Sequence, residues 1–344
     1  MSKKYYIIPI FISHIGCPHQ CVFCNQDKIA KEVEDEVKAE DVRNIIDEYL
    51  KTIDNKISTV EVSFFGGTFT AIDVNKQKEL LAVAKEYKEN KLIHKIRMST
   101  RPDAINRYIL DYLKEFKVDI IELGVQSLDD EVLRLSGRGH SSEDVRKASK
   151  LIKEYGITLG HQIMPGLPGD DFNKDIETAK KSIEMKPDIC RIYPSLVIKE
   201  TPMAKMYERG EYKPYTLEEA VDVSKEIYKL YSDASVKIIR IGLQPTENIT
   251  LGKDVIDGPF HPAFRELVEG SLLCDNIKNS IVANKDVIIE INPRDISKLY
   301  ANKKYYYNKL TEEHNGKIFV RQIEKQKKGK IKIIITEKII DMEL

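Results

Sequence analysis

The sequence predicts an α/β fold, a partial (β/α)6 TIM-like barrel followed by a small α+β extension. From residue 5 to about 243, short β-branched or aromatic runs alternate with stretches of helical period, the pattern of repeated βα units. The stretches are amphipathic: Val42, Ile45, Ile46, Tyr49, Leu50 and Ile53 draw one apolar stripe, and Ile105, Ile109, Tyr112, Leu113 and Phe116 draw another. With 344 residues the chain exceeds a typical domain of roughly 100–200, whereas a barrel fills about 200–250 as one domain.

The expected strands are Tyr5–Phe11, Thr59–Phe65, Lys95–Thr100, Asp119–Gln126, Ile157–Met164, Ile189–Tyr193 and Lys237–Leu243. Ser142, before Glu143 and Asp144, marks a helix start, and Gly156 marks its end. About six units result, fewer than the eight of a closed barrel. After Gln244 the pattern changes: 260–273 reads as helix, 287–291 as strand, and 318–335 alternates around Gly329. Residues 1–250 therefore read as the barrel and 251–344 as the extension.

Composition narrows the class. An apolar share of 42% supports a sizeable core, and 55 basic side chains cancel 55 acidic ones, so any polyanionic partner needs a local patch. The apolar run from Tyr5 to Ile12 is broken by Pro9 and falls short of the roughly 20 residues that span a bilayer. No small-residue cleavage site follows it, so the expectation is a cytoplasmic protein with no membrane partner. Of five cysteines, three lie within eight residues, which suits metal ligation in a reducing compartment better than disulfides; Cys190 and Cys274 are isolated.

Those three, Cys17, Cys21 and Cys24, have C-x3-C-x2-C spacing just after the first strand. One tight loop can then aim three sulfurs at a common centre. Cysteine thiolates hold iron–sulfur clusters, usually four at a time, so three would leave one iron of a four-iron cluster open to a small molecule. A structural zinc site completed by His14 or His19 is the competing reading, since zinc accepts three cysteines and one histidine.

The C-x3-C-x2-C motif, with Phe23 before its last cysteine at the end of a first barrel strand, resembles the radical S-adenosylmethionine superfamily. The resemblance implies a [4Fe–4S] cluster on Cys17, Cys21 and Cys24 and S-adenosylmethionine chelated to its open iron. It also implies reductive cleavage to methionine and a 5′-deoxyadenosyl radical, with a low-potential ferredoxin or flavodoxin as electron donor.

Further segments match in order. Gly66-Gly67-Thr68 ends the second strand, where relatives bind the methionine amino group; as residues alone they fit a plain turn equally well. Ser99-Thr100-Arg101-Pro102 closes the third strand, where relatives contact the ribose. Glu122, Gly124 and Gln126 share one face of the fourth. Arg138, in a Gly137-Arg138-Gly139 turn, offers a fork that matches the cofactor carboxylate, with a surface arginine as the alternative. Gln162 and Met164 end the fifth strand before Pro165-Gly166-Leu167-Pro168-Gly169, a loop similar to that of oxygen-independent coproporphyrinogen oxidases. Phe23 is expected beside the cofactor adenine. Arg240-Ile241-Gly242-Leu243-Gln244-Pro245-Thr246 and the nearby Phe260-His261-Pro262-Ala263-Phe264 resemble the radical domain of the Elongator catalytic subunit and its bacterial relatives. Those proteins have a wider gap between their first two cluster cysteines. They also end in an acetyltransferase domain, for which the last hundred residues leave no room, so acetylation is not expected.

The resemblance makes a nucleoside or transfer RNA the leading substrate class and a small metabolite or tetrapyrrole the alternative. From another class, the rival is a non-catalytic zinc or RNA-binding module. The basic stretch Arg321, Lys325, Lys327, Lys328, Lys330 and Lys332 bears on that choice. It reads either as an RNA contact or as a hairpin turning near Gly329, with Ile331, Ile333 and Ile335 inward and lysines protecting a sheet edge. The second is the expectation.

Overall fold

The computed structural model describes residues 4–12, 17, 19–25, 37–245, 249–335 and 338–343. Two units form: Met1–Thr216 with Ile227–Phe260, and Leu217–Glu226 with His261–Leu344. The first is built on strands β1 (Lys4–Ile12), β2 (Ser58–Gly66), β3 (Lys95–Thr100), β4 (Ile120–Gln126), β5 (Thr158–Ile163), β6 (Ile189–Ile192) and, after the short β7 (Val197–Ile198), β8 (Lys237–Ile241). They pair in the order β1-β2-β3-β4-β5-β6-β8, and every pairing is parallel. All seven predicted strands are present, in a half-barrel sheet consistent with a partial TIM-like barrel.

Parallel neighbours need crossover connections, and these are helical. They comprise α1 (Ala39–Leu50), α2 (Val74–Glu89), α3 (Arg107–Glu115), α4 (Asp130–Leu135), α5 (Ser142–Glu154), α6 (Phe172–Glu184), α7 (Pro202–Glu208) and α8 (Leu217–Asp233). Ser141 rather than Ser142 caps α5, because its hydroxyl reaches the Asp144 amide while Asp144 bonds back to the Ser141 amide; Gly156 follows the helix at φ +66°.

Strand alternation sorts the side chains. Ile8, Ile10, Val60, Val62, Phe64, Ile96, Met98, Ile121 and Leu123 are fully buried. Each such side chain contributes about 1.5–3 kcal/mol. His161 lies on the helix side of β5, held between Ser149 of α5 (2.9 Å) and Ser182 of α6 (2.7 Å). Burial drives its pKa down to about 3, so it stays neutral. The intervening positions of β2, β3, β4 and β6 carry Glu61, Arg97, Glu122 and Arg191 on the opposite, inner side of the sheet.

In the first unit β9 (Val255–Asp257) pairs antiparallel with β7. The second unit contains α9 (Phe264–Ser280), β10 (Val287–Ile291), α10 (Ile296–Leu299), α11 (Tyr305–Glu313), β11 (Ile318–Gln322), β12 (Lys330–Ile335) and β13 (Lys338–Glu343). Its sheet order is β11-β10-β12-β13, with β11 parallel to β10 and the other pairs antiparallel. The expected hairpin around Gly329 is therefore absent: β10 lies between β11 and β12. Ile331, Ile333 and Ile335 do point inward, packing with Leu273, Ile277, Ile289, Leu299 and Leu310. The lysines of β12 guard no edge, because β12 is paired on both sides. Among the described residues no helix is long and apolar enough to cross a membrane.

Gly66 closes β2 at φ +103°, and a Cβ there would lie 2.3 Å from the Ile12 carbonyl oxygen. Neither the backbone angle nor the neighbouring backbone can yield to a side chain. Gly66→Ala is expected to cost at least about 2 kcal/mol in urea unfolding; an unchanged midpoint would show that the β1–β2 junction is not tight.

Candidate functional site

In a parallel sheet every strand's carboxyl end lies on the same rim, and the loops that follow gather there. The cysteine loop follows β1. Val22 donates to the Ser136 carbonyl (3.0 Å) and accepts from the Met203 amide (2.8 Å), and the Cys24 amide donates to the Cys21 carbonyl (3.0 Å). Gly137 approaches so closely that a Cβ would meet the Gln20 carbonyl oxygen at 3.1 Å, with φ +63° making a side chain there doubly unfavourable. Cys21 is buried, and Cys17 and Cys24 are partly buried. The Cys17 thiol is 3.5 Å from the His19 carbonyl. Among the described residues no three His, Cys, Asp or Glu side chains form a metal-holding group.

Two guanidiniums face Cys21. Arg138 Nη1 is 3.2 Å and Arg101 Nη1 3.9 Å from its sulfur. Arg138 is 5% exposed and its Nε has no partner; its Nη2 donates to the Gly124 carbonyl at 2.6 Å. Burial lowers the Arg138 pKa, the Cys21 thiol opposes that and the Arg101 charge adds to it. Arg101 is gripped by both Asp103 oxygens (3.0 and 3.2 Å) and donates to the Arg138 carbonyl. His140, one turn on, is held neutral, its pKa pushed down to about 3 by burial and then by Arg138 and Arg101.

The sequence-predicted residues distribute as follows. Gln126, at φ +66° where β4 bulges, accepts from Gln162 Nε2 at 3.2 Å, and its carbonyl accepts from the Met164 amide at 2.8 Å. A Cβ on Gly124 would touch both Gln126 Nε2 (3.2 Å) and Arg138 Nη2 (3.3 Å), so Cys21, Arg138, Gln126 and Gln162 form one contiguous run. Gly66 and Gly67 sit at the β1–β2 junction, where the Gly67 amide donates to the Ile12 carbonyl (3.2 Å). Thr68 is buried beside them. The Thr100 hydroxyl bonds that of Thr70. Phe23 packs against the Val197, Met203, Ala204 and Tyr212 cluster, with the Arg138 guanidinium 6.0 Å from its ring centre. His14, Pro18 and Thr246 lie outside the described residues.

Two family models match consecutive parts of this chain: the Radical SAM superfamily over residues 11–181 and the Radical_SAM C-terminal domain over residues 187–273. The chain belongs to the radical SAM superfamily. It is 30% identical over 256 residues to a tRNA uridine(34) acetyltransferase of Methanocaldococcus infernus, covering 63% of this chain and 48% of that protein. It is 32% identical over 231 residues to an uncharacterized protein of Methanocaldococcus jannaschii, covering 63% of this chain and 69% of that protein. A solved structure of the archaeal Methanocaldococcus infernus Elp3 with an N-terminal deletion shares the fold, with a TM-score of 0.62 and 24% identity over 80% of this chain and 64% of the other. The chain spans about half the length of the tRNA uridine(34) acetyltransferases of the two Methanocaldococcus species that it matches.

Radical SAM family structures bind S-adenosylmethionine and a [4Fe–4S] cluster. The donor chemistry of this chain fits such a group: soft thiols on one loop suit iron–sulfur ligation, and two buried guanidiniums beside Cys21 supply charge opposite to that of thiolates. Residue-by-residue reading gave Arg101 no role beside Cys21 and, of the inner-face network, singled out only Glu122. There Arg97 reaches Glu61 (2.8 Å) and Glu122 (3.3 Å), Arg191 reaches Glu122 (2.7 Å) and Tyr193 (2.9 Å), and Ser63 and Tyr5 bond Glu61. The signal was legible: single charges stand between apolar neighbours, as in Val60-Glu61-Val62, Ile96-Arg97-Met98 and Cys190-Arg191-Ile192.

In this radical SAM chain the loop from Pro165 to Gly169 is more than a turn. The Gly166 carbonyl accepts from Ser195 (2.5 Å) and Tyr212 (2.7 Å), and Tyr215 donates to Asp175 (2.9 Å). Asp170 Oδ2 is buried without a donor, and the Asp175 carboxyl lies close enough for the two charges to oppose each other. Burial raises the Asp170 pKa to about 6 and, with the Asp170 charge, raises that of Asp175 well above the usual range. A carboxyl whose folded pKa is raised stabilises the fold below its unfolded pKa, and that contribution is lost as pH rises through the folded one. Asp170→Asn is thus expected to stabilise the chain by on the order of 2 kcal/mol at pH 8 and by nothing below about pH 4. Thermal melts across that range check it; an advantage independent of pH would refute the raised Asp170 pKa.

Proposed function

We propose that this protein holds a [4Fe–4S] cluster on Cys17, Cys21 and Cys24, cleaves S-adenosylmethionine reductively, and acts on a nucleoside of transfer RNA. The observation that carries the first part is the buried Cys21 faced by Arg138 and Arg101 on the rim of a radical SAM barrel. The transfer RNA reading is supported by the relatives named tRNA uridine(34) acetyltransferase.

Cys17, Cys21 and Cys24 would hold the cluster, which would supply the low-potential electron for reductive cleavage of S-adenosylmethionine. The chain's own residues bind and orient. Arg138 presents a guanidinium at the rim whose planar fork suits a carboxylate. Gln126 and Gln162 offer amide groups on the same run, and Gly66, Gly67, Thr68, Thr100, Phe23 and Met164 complete the candidate contacts. Burial of Glu61, Arg97 and Glu122, with the partly buried Arg191 paired to Glu122, keeps these charges fixed, since a paired buried ion that moves loses its compensation. A ferredoxin or flavodoxin of low potential is the proposed electron donor.

Anaerobic reconstitution with iron and sulfide, then dithionite and S-adenosylmethionine, should give 5′-deoxyadenosine from the wild type and none from Cys21→Ala. Zinc retention with no cluster and no nucleoside would overturn the reading. Arg138→Ala should keep the cluster absorbance yet weaken S-adenosylmethionine binding by about 10- to 100-fold, the loss of a charged hydrogen-bonded partner; Arg138→Lys should recover only part. Equal affinity in all three proteins, measured by equilibrium binding, would assign Arg138 a purely structural role.

A further inference from the structure

The cations of the second unit have lost their simplest explanation. Between residues 317 and 332 stand seven lysines or arginines (Lys317, Arg321, Lys325, Lys327, Lys328, Lys330, Lys332) and one acid, Glu324, in a chain whose charges cancel as a whole. Lysines that blunt a sheet edge belong on an edge strand. Here β12 lies inside the sheet, and β11, the edge, carries only Arg321. Arg321, Lys325, Lys327 and Lys328 are exposed, and among the described residues none of the four forms an ion pair.

The turn that carries them is firmly built. Asn292 Nδ2 donates to the carbonyls of Glu324 (3.3 Å) and Gln326 (2.8 Å), and the Ile323 amide donates to Ile291 (2.9 Å). The Gly329 amide donates to Asp295 (2.9 Å), and the Lys330 amide to the Lys327 carbonyl (3.2 Å). Three closely spaced exposed lysines, Lys325, Lys327 and Lys328, are thereby displayed on a pinned backbone, which lowers the entropy lost when they engage a partner.

Beside the turn, one sheet face is only partly covered. Since Ile318, Val320, Ile331 and Ile333 face the core, Phe319, Arg321 and Lys332 face away from it. Register aligns Phe319 with Ile288 and Ile334 in one row, and Arg321 with Glu290 and Lys332 in the next. Phe319 is 47% exposed, an aromatic ring with one face free beside a row of charge in which Glu290 lies 3.8 Å from Lys332.

An exposed ring on a sheet next to a rigid line of cations is the combination that single-stranded nucleic acid requires: bases stack on the ring while lysines follow the phosphates. An acidic protein would use the charge and leave the ring idle. We infer that the β11–β10–β12 face and the Glu324–Lys330 turn dock a single-stranded segment of transfer RNA, through Phe319, Arg321, Lys325, Lys327 and Lys328. The choice of transfer RNA rests on the substrate reading above. The surface lies past residue 273, beyond the part of the chain that the family models match.

Fluorescence anisotropy of the full chain with a labelled unmodified transfer RNA transcript, and with an RNA duplex of equal length, tests this. The triple variant Lys325→Ala, Lys327→Ala, Lys328→Ala should bind the transcript at least about 10-fold more weakly, with a salt slope shallower by about 2. Phe319→Ala should weaken the transcript by about 10-fold and leave the duplex nearly unchanged. Matched thermal melts would show that both variants are folded. Wild-type affinity and salt slope in both variants would overturn the inference. So would equal losses on transcript and duplex for Phe319→Ala, or loss of binding to phosphatidylserine vesicles while transcript binding stays intact. Formation of 5′-deoxyadenosine without substrate is read separately in each protein. A wild type that binds transfer RNA through these residues yet makes no nucleoside would keep the docking surface and reject the catalytic reading.

Discussion

Seven strands paired only in parallel fix where the chain can put its chemistry. Each connection must return along the helical layer, so every strand runs toward the same rim, and the loops after β1, β2, β3, β4 and β5 meet there. The cysteine loop, the Gly66–Thr68 turn, Arg101, Arg138 and Met164 are far apart in sequence, and they share a rim because of strand direction alone. Where close approach is needed, glycine supplies it: Gly66 against Ile12 and Gly137 against Gln20.

The inner side of the sheet carries an unusual charge load for a barrel interior. Glu61, Arg97 and Glu122 are buried and alternate in sign from strand to strand, with Arg191 completing the series. Taking such groups from water is costly unless each finds a partner, and removing one partner leaves an uncompensated charge, a loss of about 3–5 kcal/mol. Opposite signs set beside one another give each charge a counter-ion: Arg97 pairs with Glu61 and Glu122, and Arg191 reaches Glu122 across β5. The Cys21 cradle differs. Arg101 has Asp103, whereas Arg138 is buried with a thiol, a carbonyl and an unpartnered Nε around it. Of the two guanidiniums, it is Arg138 that keeps capacity for a further acceptor.

The second unit shows how topology changes the meaning of a sequence. The alternation of isoleucine and lysine in β12 fits an edge strand protected by charge as well as it fits an interior one. Insertion of β10 between β11 and β12 decides for the interior and leaves the lysines of the turn without a protective role. Four strands over α9 and α11 bury one face and leave Phe319 on the other.

Period and punctuation alone determined the seven strands, the open barrel and the three-thiol loop, because hydrophobic alternation and local spacing are properties of contiguous residues. Lone charges inside apolar strands, Glu61, Arg97 and Arg191, were a legible signal for inner-face groups that the sequence reading passed over, and only partners identify such charges as a network. Sequence placed the start of α5 at Ser142, where the helix begins; that Ser141 is its cap was settled by the backbone, which aims the Asp144 amide at the Ser141 hydroxyl. Tertiary structure decided that Arg138 and Arg101 converge on Cys21 and that β12 is an interior strand. Each depends on residues brought together across tens of positions or on the order of strands in a sheet, and neither is encoded in any local window of the chain.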